Sequence, residues 1–332
     1  MKCSRWKVVT ILFVMLFAVI SLSGCKEEKP VGTIRIGSLK GPTSLGLLAM
    51  MHSEEVTNGN AYEFQMAVSA EELLPLMAKG ELDIALLPAN AAANLYAKTE
   101  GGIAVIDINT LGVLYLVTGD KEVRSLQDLE NRTVYLTGKG TTPEASLRYL
   151  LQEYGVSGCT LEFKSEPTEV AAALAACPDG VGLLPQPYVT AALTQNPDLC
   201  VVVDLDDVWC ATEGGSGGMV TGVTVVNRTF LDQFPDAVEQ FLSDHNESVR
   251  SVNADPKQSA AWAVEAGIVA KEAIAVSAIP ECNLVCITGD EMRDALSAYL
   301  QVLADFDSKL IGGKMPGEDF YAELQEKRER RQ

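Results

Sequence analysis

The chain has 332 residues, 47% of them hydrophobic and 21% charged, and a formal charge of −19. That is length for two domains or one large one, and the composition is globular rather than disordered or fibrous. Nucleic-acid binding needs a basic footprint, which so acidic a chain lacks, and that class is excluded.

In chain order, Lys2, Arg5 and Lys7 precede an uncharged apolar run over residues 8–20, and Leu22-Ser23-Gly24-Cys25 closes the segment. A charged n-region, an apolar h-region and a small-residue cleavage site make residues 1–24 an export signal. The closing tetrapeptide resembles the bacterial lipobox, in which the Cys thiol is diacylated and the chain is cut just before it. The resemblance implies a lipid anchor on Cys25, a tether over residues 25–31 and a membrane as partner, with about 0.8 kcal/mol gained per buried methylene. An uncleaved membrane helix is the alternative, since the run is nearly long enough to span. Loss of the three positive charges takes the mature chain to about −22, which keeps an exported domain soluble beside an anionic membrane.

Strands and helices then alternate. Residues 33–38 read as a strand, Lys40-Gly41-Pro42-Thr43 as a loop leading into a helix, and 62–68 as an alternating strand. An Ala- and Leu-rich helix, a turn and a strand ending in Leu-Leu-Pro follow over 72–88. Residues 103–108 and 111–118 are β-branched runs split by Asn109-Thr110, and 125–129 is a helical turn. The pattern then restarts: strand 133–136, loop Lys139-Gly140-Thr141-Thr142, a helix closing at 148–154, strand 161–164, and again helix, turn and Leu-Leu-Pro strand over 169–185. Residues 72–88 align without gaps to 169–185 at an offset of 97, and the Lys40 loop matches the Lys139 loop at 99. Helix 188–194, strand 201–203, a Gly-rich stretch at 214–218 and an apolar run at 220–226 come next. Helices over 232–253, 259–269 and 289–305 lead to a charged tail, 321–332.

Two echoes at nearly one offset predict an α/β fold of two similar lobes with mostly parallel sheets. Two hinge strands, 114–118 going out and 223–226 coming back, would join them. Lobe I is then 32–117 plus 223–320, and lobe II is 118–222.

Six cysteines remain after Cys3 and Cys25, an even number that permits disulfides in an exported protein. If strand 161–164 and helix 168–176 run antiparallel, Cys159 and Cys177 emerge at one end and are expected to pair. Cys200 with Cys210 and Cys282 with Cys286 are then left over. A zinc site would want His partners or paired Cys-x-x-Cys knuckles. His52 and His245 stand far apart on helices that read as surface, so no metal and no cofactor is expected.

The segments Ile34 to Ser44, Gly80 to Pro88, Lys139 to Thr142, Val170 to Thr190 and Val225 to Leu231 together resemble the extracytoplasmic solute-binding proteins of ABC importers. The nearer likeness is to nitrate-, sulfonate- and taurine-type and thiamine-precursor-type binders, over almost all of the mature chain. The resemblance implies a periplasmic-binding-protein-like II fold whose lobes close on a small-molecule solute. It implies a monomer that delivers this solute to a membrane permease and its ATPase and does no chemistry.

In open α/β sheets, ligands lie beyond the carboxyl ends of the strands. Four such loops follow from the pattern: 39–44, 88–90, 139–142 and 186–188. They nominate Gly41, Pro42, Thr43, Ser44, Ala89 and Asn90 from one lobe and Gly140, Thr141, Thr142, Gln186, Pro187 and Tyr188 from the other. Gly41 and Gly140 allow close backbone approach. The Ser and Thr hydroxyls sit where helix N-termini favour an anionic or polar organic ligand, or serve only as N-caps. Asn90 and Gln186 can donate and accept, and Tyr188 can stack on a flat ligand. Lys40 and Lys139 form a matched pair suited to an anion, or face solvent. No Gly-x-Ser-x-Gly elbow or Walker loop occurs, and no catalytic residue is expected. The fold is shared by some enzymes of menaquinone and thiamine-precursor synthesis, so catalysis stays open as an alternative, as does a ligand-sensing receptor.

Overall fold

Residues 32–53, 60–177, 179–215 and 217–322 are described by the computed structural model. The expected export signal, Cys25, its tether and residues 323–332 of the tail lie outside them. Among the described residues no helix is long and apolar enough to cross a membrane.

Two mixed sheets organise the chain. The first is built from β1 (Thr33–Leu39), β2 (Ala61–Ala67), β3 (Ile84–Pro88), β4 (Ile103–Thr110), β10 (Gly222–Asn227) and β11 (Leu284–Ile287). The second holds β5 (Leu114–Thr118), β6 (Thr133–Leu136), β7 (Thr160–Phe163), β8 (Val181–Pro185) and β9 (Cys200–Asp204). Their orders are β11-β4-β10-β3-β1-β2 and β7-β6-β8-β5-β9. Reading the first from its other edge gives β2-β1-β3-β10-β4, the same layout as β7-β6-β8-β5-β9, with β11 added.

The expectation of mostly parallel sheets is corrected. β1 pairs in parallel with β2 and β3, and β6 with β7 and β8, but β5 and β10 run antiparallel to both of their neighbours. The reason is topological. The chain leaves the first lobe at the carboxyl end of β4 and the second through a helix (205–210) after β9, so β5 and β10 each start at the strands' carboxyl ends and run backwards. Leu114 faces Pro185 and Gly222 faces Pro88, each opening strand beginning beside a Leu-Leu-Pro terminus. The hinge strands expected at 114–118 and 223–226 therefore lie inside the sheets. The crossings are 111–113 going out and 211–221 coming back.

The helices are α1 (Pro42–Leu45), α2 (Leu48–His52), α3 (Ala70–Lys79), α4 (Ala89–Lys98), α5 (Thr142–Glu153), α6 (Pro167–Ala176), α7 (Tyr188–Gln195) and α8 (Leu205–Cys210). After β10 come α9 (Arg228–Gln233), α10 (Pro235–Ala254), α11 (Pro256–Glu265), α12 (Glu272–Ala278) and α13 (Gly289–Asp307). The capping box of Ser69 and Glu72 starts α3, and Gly80 at φ 70 ends it. The single helix expected over 232–253 is broken at Phe234, because the residue before Pro235 disfavours helical backbone.

Several side chains fall elsewhere than expected. Cys159, Cys177, Cys200, Cys210, Cys282 and Cys286 are all free thiols, so the expected bridges are not formed. Cys159 packs against the core while Cys177, just past α6, is exposed. Cys282 donates its thiol to Ala278 O in its own turn, and Cys286 points at Asp107 instead. His245 is fully buried, not on the surface, with Nδ1 2.9 Å from Asp107 Oδ2. Trp209, which the sequence allows either at the cleft or in the second lobe's core, is core, tilted against Tyr149 and Tyr299 at ring separations of 4.8 and 5.1 Å.

Asp206 on α8 lies between the two crossings. Its Oδ1 accepts the Met219 N–H at 2.6 Å, and a Cβ on Gly112 would come within 2.5 Å of its own Cβ. Burial lifts its carboxyl above the usual Asp range against the pull of the Met219 N–H, and Asp207 adds to the rise. A group held protonated more tightly when folded contributes stability below the unfolded pKa and loses it as pH rises through the folded one. Urea melts from about pH 7 down to about pH 4 should show the unsubstituted protein gaining stability relative to Asp206→Asn. Parallel pH profiles for the two proteins would contradict this account.

Candidate functional site

The carboxyl ends of the parallel strands of both sheets converge on one cleft of about 470 Å³. Its first wall comes from the first sheet. Leu39 ends β1 and Lys40, Gly41, Pro42 and Thr43 follow it, Val68 to Glu72 follow β2, and Pro88 ends β3. Opposite stand Thr137, Gly138, Lys139, Thr141, Thr142 and Pro143 after β6, Lys164, Ser165 and Pro167 after β7, Pro185 at the end of β8 and Tyr188 beyond it. Leu114 and Thr221, from the crossing regions, complete the lining.

Of the twelve nominated residues, Gly41, Pro42, Thr43, Thr141, Thr142 and Tyr188 line this cleft. Ser44 does not: it is fully buried and donates to Leu39 O at 2.6 Å or Ser38 Oγ at 2.7 Å. Ala89 and Asn90 are fully buried behind Pro88. Gln186 is buried too, its Oε1 accepting from the Thr190 N–H and hydroxyl at 3.3 and 2.9 Å. Pro187 does not line the cleft, and nor does Gly140. Gly140 sits at φ 74, where a residue without Cβ is favoured, and donates its N–H to Glu144 Oε2 at 2.7 Å. The Thr141 hydroxyl is turned back onto Gly138 O at 2.8 Å.

The loops after β2 and β7 were missed. Both strands were legible in the sequence, and applying the strand-end rule to them would have found Val68 to Glu72 and Lys164 to Pro167. In each a loop amide is taken by a Glu four residues on: Val68 N–H by Glu72 at 3.2 Å, Ser165 N–H by Glu169 at 2.8 Å.

The lining carries three lysines, Lys40, Lys139 and Lys164, and two carboxylates, Glu71 and Glu72. Lys164 is neutralised by Glu162 at 2.7 Å and lies over the Tyr135 ring. Lys40 makes no ion pair among the described residues, and Lys139 only overlies the Phe163 ring at 5.8 Å. Tyr188 has its phenol pushed up to about 12, chiefly by burial, so it stays a neutral donor, and it reaches Lys40 O at 3.3 Å. Among the described lining residues there is no His or Cys, and the Ser69 hydroxyl, 3.4 Å from Glu72 Oε1, belongs to the capping box that starts α3. The arrangement can grip a ligand with an anionic group and a compact apolar body.

Comparison with known proteins adds the following. A family model described as menaquinone biosynthesis matches residues 40–304. No curated protein sequence matches the chain. Among solved structures, an ABC transporter protein from Parabacteroides distasonis is 24% identical, with a TM-score of 0.74, covering 88% of this chain and 99% of its own. The periplasmic aliphatic sulphonate binding protein of Escherichia coli is 15% identical, with a TM-score of 0.71, over 88% and 92%. A Candida albicans protein with the generic periplasmic binding protein fold is 14% identical, with a TM-score of 0.61, over 87% and 93%. These likenesses show the two-lobed binding-protein fold.

Ser44 supplies a check on the division between lining and support. Ser44→Ala should cost about 1–2 kcal/mol of stability by stranding its buried partners, read by denaturant melts, while leaving ligand affinity unchanged. A loss of affinity without a loss of stability would put Ser44 in the cleft after all.

Proposed function

The chain belongs to the menaquinone-biosynthesis family, and we propose that this member is the extracytoplasmic solute-binding component of an ABC importer. In this reading a lipid on Cys25 anchors it to the outer face of the cell membrane. It captures a small polar or anionic organic solute and hands it to a permease driven by an ATPase. The observation that carries the reading is the cleft: matched loops of two like lobes face each other, with Lys40 and Lys139 coming one from each. The binding-protein fold of the neighbours and the lipobox-like signal support it.

A second reading, an enzyme of the same fold, is favoured by the family's description. Native mass spectrometry of protein purified from its host distinguishes the two. A binder retains one small molecule and returns it unchanged after incubation, whereas an enzyme returns a product of different mass.

Two outcomes are expected for variants. With the retained compound as titrant, Lys40→Ala and Lys139→Ala should each weaken binding about ten- to a hundredfold, as for lost hydrogen bonds to a charged group. Thr43→Ala and Thr142→Ala should each weaken it about three- to tenfold. Affinity unchanged in all four would remove the ligand from this cleft. For the anchor, Cys25→Ala should leave the precursor uncut and without acyl chains. A processed and still membrane-held variant would end that part of the reading.

A further inference from the structure

Asn90, nominated from the sequence as a ligand contact, has every polar atom of its side chain committed to protein. It is the second residue of α4, directly behind the cleft residue Pro88, and it is fully buried. One Nδ2 proton goes to Gly140 O in the opposite lobe at 3.1 Å, the other to Leu310 O, just beyond α13, at 3.2 Å. Its Oδ1 lies 3.4 Å from the hydroxyl of Thr142, again in the opposite lobe, and the same hydroxyl lies 3.4 Å from Thr221 O in the returning crossing.

We propose that Asn90 is a closure latch, a positioning residue that holds the two lobes together from behind the cleft and does not touch the ligand. Three features carry this. The side chain spans the lobes with both its donor and its acceptor, so separating the lobes breaks both interactions at once. Buried amide groups stripped of partners are costly, which makes the contact close to all-or-none. Leu310 O, also held by Asn94 Nδ2 at 2.6 Å, fixes the amide plane from the first-lobe side, so the latch is pre-oriented when the lobes approach. At the rim, Tyr188 OH and Lys40 O form a separate, weaker contact at 3.3 Å. The latch rests on the two-lobed cleft and needs no assumption about what that cleft holds.

The test is made without ligand, on the full chain in detergent. Spin labels on noncanonical residues replace Val68 and Ser165, exposed positions on opposite rims, and their separation is read by pulsed electron resonance. Asn90→Ala should move the distribution to longer distances, with the open-to-closed ratio rising roughly tenfold (about 1.4 kcal/mol). Thr142→Val, which keeps shape and removes the hydroxyl, should shift it the same way, and the double variant should add less than the sum. Asn94→Ala, which loses contacts to Leu310 O and Asn90 O within the first lobe but none between lobes, should open it less than Asn90→Ala does. Coincident distributions for Asn90→Ala and the unsubstituted protein overturn the proposal, and so does equal opening by Asn94→Ala. Should Asn90→Ala fail to fold by circular dichroism, Thr142→Val decides alone. Because no ligand is present, opening here with intact affinity in the cleft-lysine variants would sink the anion-binding reading and leave the latch standing.

Discussion

Both passages of the chain between the lobes occur at one place, and the rest of the molecule is arranged around that constraint. The Thr221 N–H donates to Thr110 O, so the returning crossing is bonded to the end of the outgoing strand. Leu111 N–H donates to Asn283 O, and the Asn283 side chain donates back to Gly112 O. On the other side Asp206 fills the space that a side chain at residue 112 would need. The two crossings are thus clamped from both lobes, and the parallel strands on either side must direct their carboxyl ends into the gap between. The cleft is a consequence of where the chain crosses. Its polarity follows as well, because strand ends and helix starts bring unpaired backbone N–H groups with them.

The same constraint explains why the lobes share a core. α13, which follows the last strand of the first sheet, lies against α5 of the second lobe. Tyr299 packs tilted against Trp209 at 5.1 Å and its hydroxyl lies 2.9 Å from Ser146 Oγ. Phe306 meets Tyr149 edge-on at 5.9 Å. One contiguous apolar cluster therefore runs from Leu87, Val105 and Val225 in one sheet to Leu116, Val134 and Leu183 in the other. Aromatic pairs of this kind contribute about 0.5–1.5 kcal/mol each beyond their burial. An opening motion that keeps this cluster intact must pivot about it, and the contacts free to break are then those at the cleft itself.

Much of this was legible from residue order. The Leu-Leu-Pro echo located β3 and β8, and the Gly/Thr echo located the β1 and β6 loops, because repeats of local pattern survive where identities drift. The mixed direction of the sheets was not legible, since a β-branched run such as 114–118 has the same period whichever way its neighbours point. Ser44 and Gln186 were read as cleft residues from loop membership alone. Which way a loop side chain turns is decided by a nearby acceptor or donor, Leu39 O for one and Thr190 for the other, and those pairings lie below what spacing can report. The cysteine pairs failed for a similar reason. Sequence put Cys159 and Cys177 at one end of a strand–helix unit, but one thiol turns into the core and the other out.

His245 was the least legible residue, and its surroundings bear on the first cleft loop. Asp107 accepts the Thr224 hydroxyl at 2.7 Å through Oδ1 and lies 2.9 Å from His245 Nδ1 through Oδ2. With Cys286 these groups place three metal-type donor atoms within 4.8 Å of one another. A metal on Nδ1 would leave the ring proton on Nε2, which is buried and has no acceptor among the described residues, whereas metal-bound imidazoles keep their second nitrogen donating. An Nδ1–H given to the carboxylate leaves only a lone pair at Nε2, and an unmatched acceptor is better tolerated than an unmatched donor. That nitrogen faces Gly46, where a Cβ would sit 3.2 Å from it and 3.1 Å from Val249. Gly46 caps α1, the short helix that carries Thr43. The buried pair on α10 and β4 thus forms the seat of the first cleft loop, which comes this close to α10 because residue 46 has no side chain.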